Sequence, residues 1–461
     1  MFEKQVYVER RKSLREKVGS GLILLPGNSP SPFNYSSNTY SFRQDSTFLY
    51  FFGIDTPDLV GVIDIDEGKD FLFGADPTME DTVWMGPQPT IAERAREIGV
   101  AYSGTMAQLE EKVSAATKNR TVHFLPTYRS ENLVRLTSLL GLPLQATQNS
   151  FSKHLIRSVI SLRSIKSSLE IDEIEKGLLV THEAYAAIFA TAKPGIHERE
   201  VVGQIDKVLG SHGRQYAYPL ILSVHGEILH NHHHDQVMKK HDLLLVDCGA
   251  ESLSHYASDI TRTFPIGGKY TPEQRDVYQL VLKAQLDSIQ SVRPGKSYRE
   301  VHMQAATIIA SGLKDMGLMR GDVASAVEQG AHALFFPHGL GHMLGLDVHD
   351  MEGLGEDFVG YDETVQRSQQ FGTAYLRLAK KLQVGNVLTV EPGIYFIPAL
   401  IDKWKAEKLA SEFINFDKLN PFRNAGGIRI EDDVLVTEQG SRVLGKPIPK
   451  TVEEMESLMA S

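Results

Sequence analysis

The chain carries one cysteine, Cys248, in 461 residues. A single thiol excludes an internal disulfide framework and a cysteine-based zinc site, and it fits a reducing compartment, so a cytoplasmic location is expected. Any metal must then be held by histidines and carboxylates, harder ligands suited to manganese, iron, cobalt or zinc. No run approaches about 18 consecutive apolar residues, so no membrane partner is expected. Basic charge is scarce as well: the formal net charge is -10, with no sustained basic stripe, which argues against a nucleic-acid partner. The opening MFEKQVYVERRKSLREKV is charged and lacks an apolar core, so it is not read as a secretory signal. What remains is a globular composition, 42% apolar and 23% charged, on a chain too long for one ordinary core. Two domains are expected.

The first domain is read as residues 1–160 and the second as 161–461. GLILLPG, LVGVIDID and VHFLP read as buried strands bounded by turn residues, and ENLVRLTSLLGL as a short helix ending at glycine, which makes the first domain α/β. A long helix begins near Ser168, with Ile171, Ile174, Leu178 and Leu179 at helical spacing, and ends at Lys193-Pro194-Gly195. A second opens at Thr271 as N-cap with Pro272 at the first helical position, and it also ends in Pro-Gly. The segments KPGIHEREV (193–201) and RPGKSYREV (293–301) share PG and REV in one register. They imply two related halves about a pseudo-two-fold, each with a pair of helices and strands, and a site fed from both.

HGLGHMLGLDVHD (338–350) concentrates three histidines among glycines, and its acidic complement lies elsewhere. HDLLLVDCGA delivers Asp247 at the end of an apolar strand. SDITRTFP offers Asp259, with Thr261 and Thr263 on the same face, so the two aspartates could face each other across a hairpin. VLTVEPGIYF carries Glu391. GGIRIEDDVLV alternates, with Ile428 and Ile430 on one face and Arg429 and Glu431 on the other. Taken singly, each acid is a turn, cap or solvated strand end, and a His-rich loop carries no function. Four carboxylates in buried strands are expensive unless they share a cation. With one histidine they suit two adjacent divalent ions. HNHHHDQ (230–236) reads as a mobile loop, of which only His230, closing YPLILSVHGEIL, is singled out. HEAYA lacks the second histidine of a zincin helix, and GLGHMLG misplaces its glycines for a dinucleotide fingerprint.

LVDCGA, SDITRTFP, HGLGHMLGLDVHD, TVEPGIYF and GIRIEDD, in this order, resemble the metal-ligand strands of the pita-bread metallopeptidases, in particular the aminopeptidase P and prolidase groups. FRQDSTFLYFFGI and DTVWMGP resemble the N-terminal domain of those groups. The resemblance implies an α/β N-terminal domain on an α+β pita-bread (creatinase/aminopeptidase-like) domain with an internal pseudo-two-fold, commonly in homodimers or homotetramers. It implies two divalent ions, usually Mn2+, held by Asp247, Asp259, His342, Glu391 and Glu431, with Asp259 and Glu431 bridging. His338, His349, His230 and Arg429 would line the catalytic pocket, and Glu391 would pass a proton to the leaving nitrogen. The spacing from Asp247 to Asp259 is one residue longer than in those groups, and a turn or bulge at about 250–254 would absorb it.

The implied activity is release of the N-terminal residue from a peptide with proline second, Xaa-Pro dipeptides included. The alternative is a strict Xaa-Pro dipeptidase. Arg377 falls where prolidases hold a dipeptide's carboxylate, although it also reads as a solvated basic residue; Tyr218 is the second substrate-binding candidate. The segment 360–376 is expanded relative to prolidases. A metal-free binding module is the competing class, and the five competent ligand positions argue against it.

Overall fold

A computed structural model describes residues 1–460. The chain forms two compact units, residues 1–163 with 351–358, and residues 164–350 with 359–461. Within the described residues no helix is long and apolar enough to cross a membrane.

The first unit is built on a five-stranded mixed sheet in the order Tyr102–Gly104, Lys69–Phe73, Val60–Asp64, Leu22–Pro26, Val122–His123. Alternation fixes its packing: Leu22 and Leu24 share one face with Val60 and Val62, and that face is covered by Leu109, Val113 and Leu136 of two helices. The GLILLPG and LVGVIDID strands and the helix Ser130–Leu140, closed by Gly141, form where their patterns place them. VHFLP pairs over only two residues, Val122 and His123.

The second unit repeats one design. Helices α1 (Ser168–Thr191) and α2 (Glu198–Ser211) precede strands β1 (Ile221–Ser223), β2 (Leu243–Cys248) and β3 (Ile260–Pro265), an antiparallel sheet with β2 central. Helices α3 (Pro272–Ser291) and α4 (Tyr298–Asp315) precede β4 (Val387–Val390), β5 (Gly393–Tyr395), β6 (Gly427–Arg429) and β7 (Asp432–Thr437). Each helix pair joins in the same way. Gly195 N–H donates to Met238 O and Gly295 N–H to Leu382 O, both at 2.8 Å; Met238 N–H returns to Ile196 O and Leu382 N–H to Lys296 O, both at 2.9 Å. Both glycines are left-handed, at φ 89° and 80°, where a side chain is strained. His197 and Ser297 each take the backbone bridge and each is capped by the glutamate three residues on, Glu200 and Glu300. The PG…REV echo is thus a repeated hydrogen-bonded turn.

The repeat continues into the acid-bearing strands. Lys239 N–H is capped by Asp242 at 2.7 Å, and Gln383 N–H by Asn386 at 2.8 Å, just ahead of β2 and β4. Counting the same five residues on from Asp242 and Asn386 reaches Asp247 and Glu391.

One expectation needs correction. VLTVEPGIYF and GGIRIEDDVLV are not continuous strands. β4 pairs with β7 and β5 with β6, in a register that is unbroken across the gap and sets Glu391 opposite Glu431. Each strand is interrupted at its own glutamate, and Glu431 instead bridges to Thr261. The longer Asp247–Asp259 interval is absorbed by a turn, in which Ser252 N–H donates to Tyr256 O at 2.8 Å and His255 adopts φ 65°. The β2–β3 register carries no bulge.

Candidate active site

One pocket of about 320 Å³ gathers the candidates. Asp247, Asp259, His342, Glu391, Glu431, His230, His338, His349, Arg429, Arg377 and Tyr218 all line it. Asp247 arrives on β2, Asp259 just before β3, Glu391 and Glu431 at the paired breaks, and Arg429 on β6. The histidine loop is pinned by backbone bonds to β4, with Leu344 N–H to Val387 O at 3.0 Å and Thr389 N–H to His342 O at 3.0 Å. Gly341 is required for that approach: a Cβ there would lie 2.1 Å from Thr389 O. The far end of the loop is anchored by a buried ion pair, Lys166 Nζ to Asp350 Oδ2 at 2.7 Å.

Asp259, His342 and Glu431 each turn one ligand atom into a common space, all within 4.8 Å of one another. His342 Nδ1 sits 3.1 Å from Met343 O, which directs Nε2 inward, 3.4 Å from Asp259 Oδ2 and 3.7 Å from Glu391 Oε1. Asp247 does not pair directly with Asp259; its register partner is Thr261. The Tyr218 hydroxyl joins the two aspartates, 2.6 Å from an oxygen of each. Burial first, then the Asp247 charge, raises the Asp259 carboxyl well above the ordinary carboxylate range. Burial, then Asp259 and Glu391, does the same to Glu431. Burial raises Glu391 against the pull of His342 and Arg429. Buried acids held together so that they resist ionising form a donor set that suits divalent cations.

A second network runs along the wall. Arg429 donates to Asp247 Oδ2 at 2.6 Å, to Thr261 Oγ1 at 3.1 Å and to the Tyr395 hydroxyl at 2.9 Å. Burial works against the Arg429 charge, but Tyr395, Asp247, Glu391 and Glu431 hold it protonated. Tyr395 Oη lies 2.9 Å from His338 Nε2, whose Nδ1 lies 2.8 Å from Gly339 O. Burial, then Arg429, lowers His338 to about 3, so its ring is neutral at ordinary pH. With Nδ1–H given to Gly339 O, Nε2 accepts from Tyr395. The same two causes lower His230. The His349 and His342 rings lie 4.1 Å apart, centre to centre.

Several site residues escaped the sequence reading. Thr261 Oγ1 donates to Glu431 Oε2 at 2.6 Å, and Asp433 accepts the Asp259 N–H at 3.0 Å. Tyr395, Tyr375, Leu229 and Val348 belong to the site through the wall and the mouth. The 230–236 segment is not a free loop: His232 and His234 place Nδ1 against Leu220 O and Leu222 O, at 3.2 and 3.0 Å, tying it to β1. His232 thereby enters the pocket lining. Alternating histidines beside an edge strand were the available signal, because imidazole N–H groups can satisfy edge carbonyls.

Residues 172–438 match the profile of Metallopeptidase family M24, and residues 7–124 match that of the aminopeptidase P N-terminal domain. The chain belongs to Metallopeptidase family M24. A human Xaa-Pro dipeptidase is 33% identical over 98% of this chain and 90% of its own. The Escherichia coli Xaa-Pro aminopeptidase is 31% identical over 100% and 98%. Among solved structures, aminopeptidase PepP of Pseudomonas aeruginosa superposes with a TM-score of 0.82 at 27% identity, covering 100% of this chain and 98% of that one. Aminopeptidase P from E. coli with the inhibitor Pro-Leu gives 0.81 at 30% identity, covering 99% and 98%. The fold is therefore that of aminopeptidase P, and the chain is a metallopeptidase that uses divalent metal.

Proposed function

We propose that this chain is a dinuclear-metal exopeptidase that releases the N-terminal residue from peptides with proline second. The observation that carries this reading is the buried Asp259–His342–Glu431 group, within 4.8 Å, in a pocket shared with His338, His349 and Arg429. The names of relatives on both sides of the dipeptidase and aminopeptidase division support the Xaa-Pro bond as the target. Asp247, Asp259, His342, Glu391 and Glu431 would hold two ions, and four carboxylates with one imidazole favour Mn2+. Such ions supply Lewis acidity and lower the pKa of water to near neutrality.

The chain's own residues do the rest. His349 donates to the oxygen of the scissile carbonyl as it gains charge. Glu391 carries the proton to the proline nitrogen. His338, neutral and fixed between Gly339 and Tyr395, shapes the pocket wall that receives the peptide. Arg429 holds Asp247 in place, and His230 closes the pocket beside it. Tyr218 and Arg377 contact substrate. Because proline forms a tertiary amide with no N–H at the scissile bond, recognition rests on pocket shape.

Two readings of chain length follow. Arg377 in the lining suits the terminal carboxylate of a dipeptide, whereas a half-exposed Tyr375 at the mouth suits longer chains. We favour the aminopeptidase, with dipeptides included. A homodimer or homotetramer belongs to the same proposal. It is supported by the Met79–Met85 helix, which buries no residue and presents Met79, Val83, Trp84 and Met85 to solvent. So does a cytoplasmic location, supported by the lone, buried thiol of Cys248.

The test is hydrolysis of Ala-Pro, Ala-Pro-Gly and Ala-Ala-Gly before and after chelation. Release of alanine from the two proline peptides, lost with chelator and restored by Mn2+, is expected. Equal cleavage of Ala-Ala-Gly would contradict the specificity, and chelator-resistant cleavage would contradict the metal.

A further inference from the structure

The expanded segment 360–376 is built to present aromatic rings at the mouth of the pocket. It has little regular structure, yet it is firmly held. The Tyr361 hydroxyl donates to Leu376 O at 2.6 Å, and the Arg367 guanidinium lies over the Tyr361 ring at 4.5 Å and donates to Ala374 O at 2.9 Å. Gln370 Nε2 donates to Glu328 O at 2.9 Å. A small core of Tyr361, Leu376 and Ala379 closes beneath it.

On this base Phe371 and Tyr375 face outward, 39% and 57% exposed, edge to face with ring centres 5.8 Å apart. Phe371 in turn meets Trp404 of the helix Pro398–Ala406 at 6.0 Å. Tyr375 also lines the pocket, next but one to Arg377. Two exposed rings thus run outward from the pocket wall, backed by the buried Trp404. Folding leaves Phe371 and Tyr375 in water, while Trp404 is buried and packs against Phe371; exposed aromatic surface beside a pocket marks a binding site.

We propose that the Tyr375–Phe371 ridge, backed by Trp404, is an extended substrate subsite, which takes apolar or aromatic side chains of the peptide beyond the proline. The inference rests on the exopeptidase reading above and deepens it. An enzyme that removes the N-terminal residue keeps that end of the peptide in the buried part of the pocket, beside Asp259, His342 and Glu431. Only the chain after the proline can leave through the mouth. The step between the two exposed rings, 5.8 Å, spans no more than about two extended residues. The residues that follow the proline are therefore the part of the substrate that meets the ridge. Dipeptides reach only as far as Arg377 and gain nothing from it.

The test compares kcat/KM for Ala-Pro, Ala-Pro-Gly-Gly and Ala-Pro-Phe-Phe on the full, metal-loaded chain. Ala-Pro-Phe-Phe is expected to exceed Ala-Pro-Gly-Gly by at least about tenfold, expressed mainly in KM. Tyr375→Ala and Phe371→Ala should each reduce that ratio severalfold, and Tyr375→Phe, which keeps the ring, should preserve it. The ratio within one variant is the readout, so a general loss of activity from imperfect folding cancels. Equal rates on the two tetrapeptides, or a ratio untouched in both alanine variants, would overturn the ridge while leaving Xaa-Pro hydrolysis standing. An alanine variant that changes sedimentation but not the ratio would overturn it in favour of contact with a second copy. No cleavage of any of the three would overturn both readings.

Discussion

The Tyr218 hydroxyl has one proton and two carboxylate oxygens, one from Asp247 and one from Asp259, each 2.6 Å away. One proton serves only one of them, so the arrangement calls for a further positive charge between the aspartates. Tyr218→Phe should leave the fold intact and weaken metal affinity by about 10–100-fold, as removal of a partner to a ligating group does. Titration of the chelated protein with Mn2+ checks this, and unchanged affinity would contradict the role. At this scale the sequence was most readable where an acid closes an apolar run: Asp247 and Glu391 announce themselves by being expensive where they stand, whereas His342 was named only through the family resemblance. Tyr395, Thr261 and Asp433 carry no such mark, and Tyr218 was named only as a substrate-binding candidate. Their importance lies in partners 29 to 174 residues away, as with Tyr218 to Asp247 and Asp433 to the Asp259 N–H, and a local pattern does not encode a distant hydroxyl.

At the scale of elements, the repeated turn offers a controlled comparison. Gly195 and Gly295 hold matching bonds and left-handed backbone, and both have open space where a Cβ would go. Gly195→Ala and Gly295→Ala should therefore cost the same, about 1–2 kcal/mol each, from backbone strain alone. Urea unfolding checks this, and a difference well above about 1 kcal/mol would deny that the two turns are equivalent. The repeat was legible because PG and REV are fixed by turn and cap chemistry. The interruption of the strands at Glu391 and Glu431 was not, because the register and the burial both persist across a gap in the hydrogen-bond ladder. Ile428 before the break, Ile430 within it and Val434 beyond it are all buried. The expansion at 360–376 was visible as extra length, but its presentation of Phe371 and Tyr375 depends on bonds from Tyr361, Arg367 and Gln370 that no periodicity reveals.

For the whole molecule, acid stability should reflect histidines buried in their neutral form. His302 and His332 are fully buried, and neither ring nitrogen of either has a hydrogen-bond partner among the described residues. Burial, then His332, lowers His302 to about 3, and burial lowers His332 to about 4. Below the unfolded value of about 6.5 the unfolded chain binds protons that the folded chain refuses, so stability falls as pH drops from about 6.5 toward 4. Each histidine contributes a slope of about 1.4 kcal/mol per pH unit in that window. His302→Phe should flatten the dependence by one such increment in urea titrations from pH 7 to 4.5, and an unchanged slope would contradict a neutral His302. The two-domain organisation and the order of the site motifs were legible at this scale. The return of residues 351–358 to the first unit was not, since nothing in their composition distinguishes them from the loop around them. The central claim is that five side chains from two related halves hold two catalytic ions. It is tested most directly by adding Mn2+ stepwise to chelated protein while following alanine release from Ala-Pro. Activity should rise until two equivalents are bound, and His342→Ala should bind less metal and lose at least about a hundredfold in rate. Full activity at one equivalent, or an active and fully loaded His342→Ala protein, would contradict it.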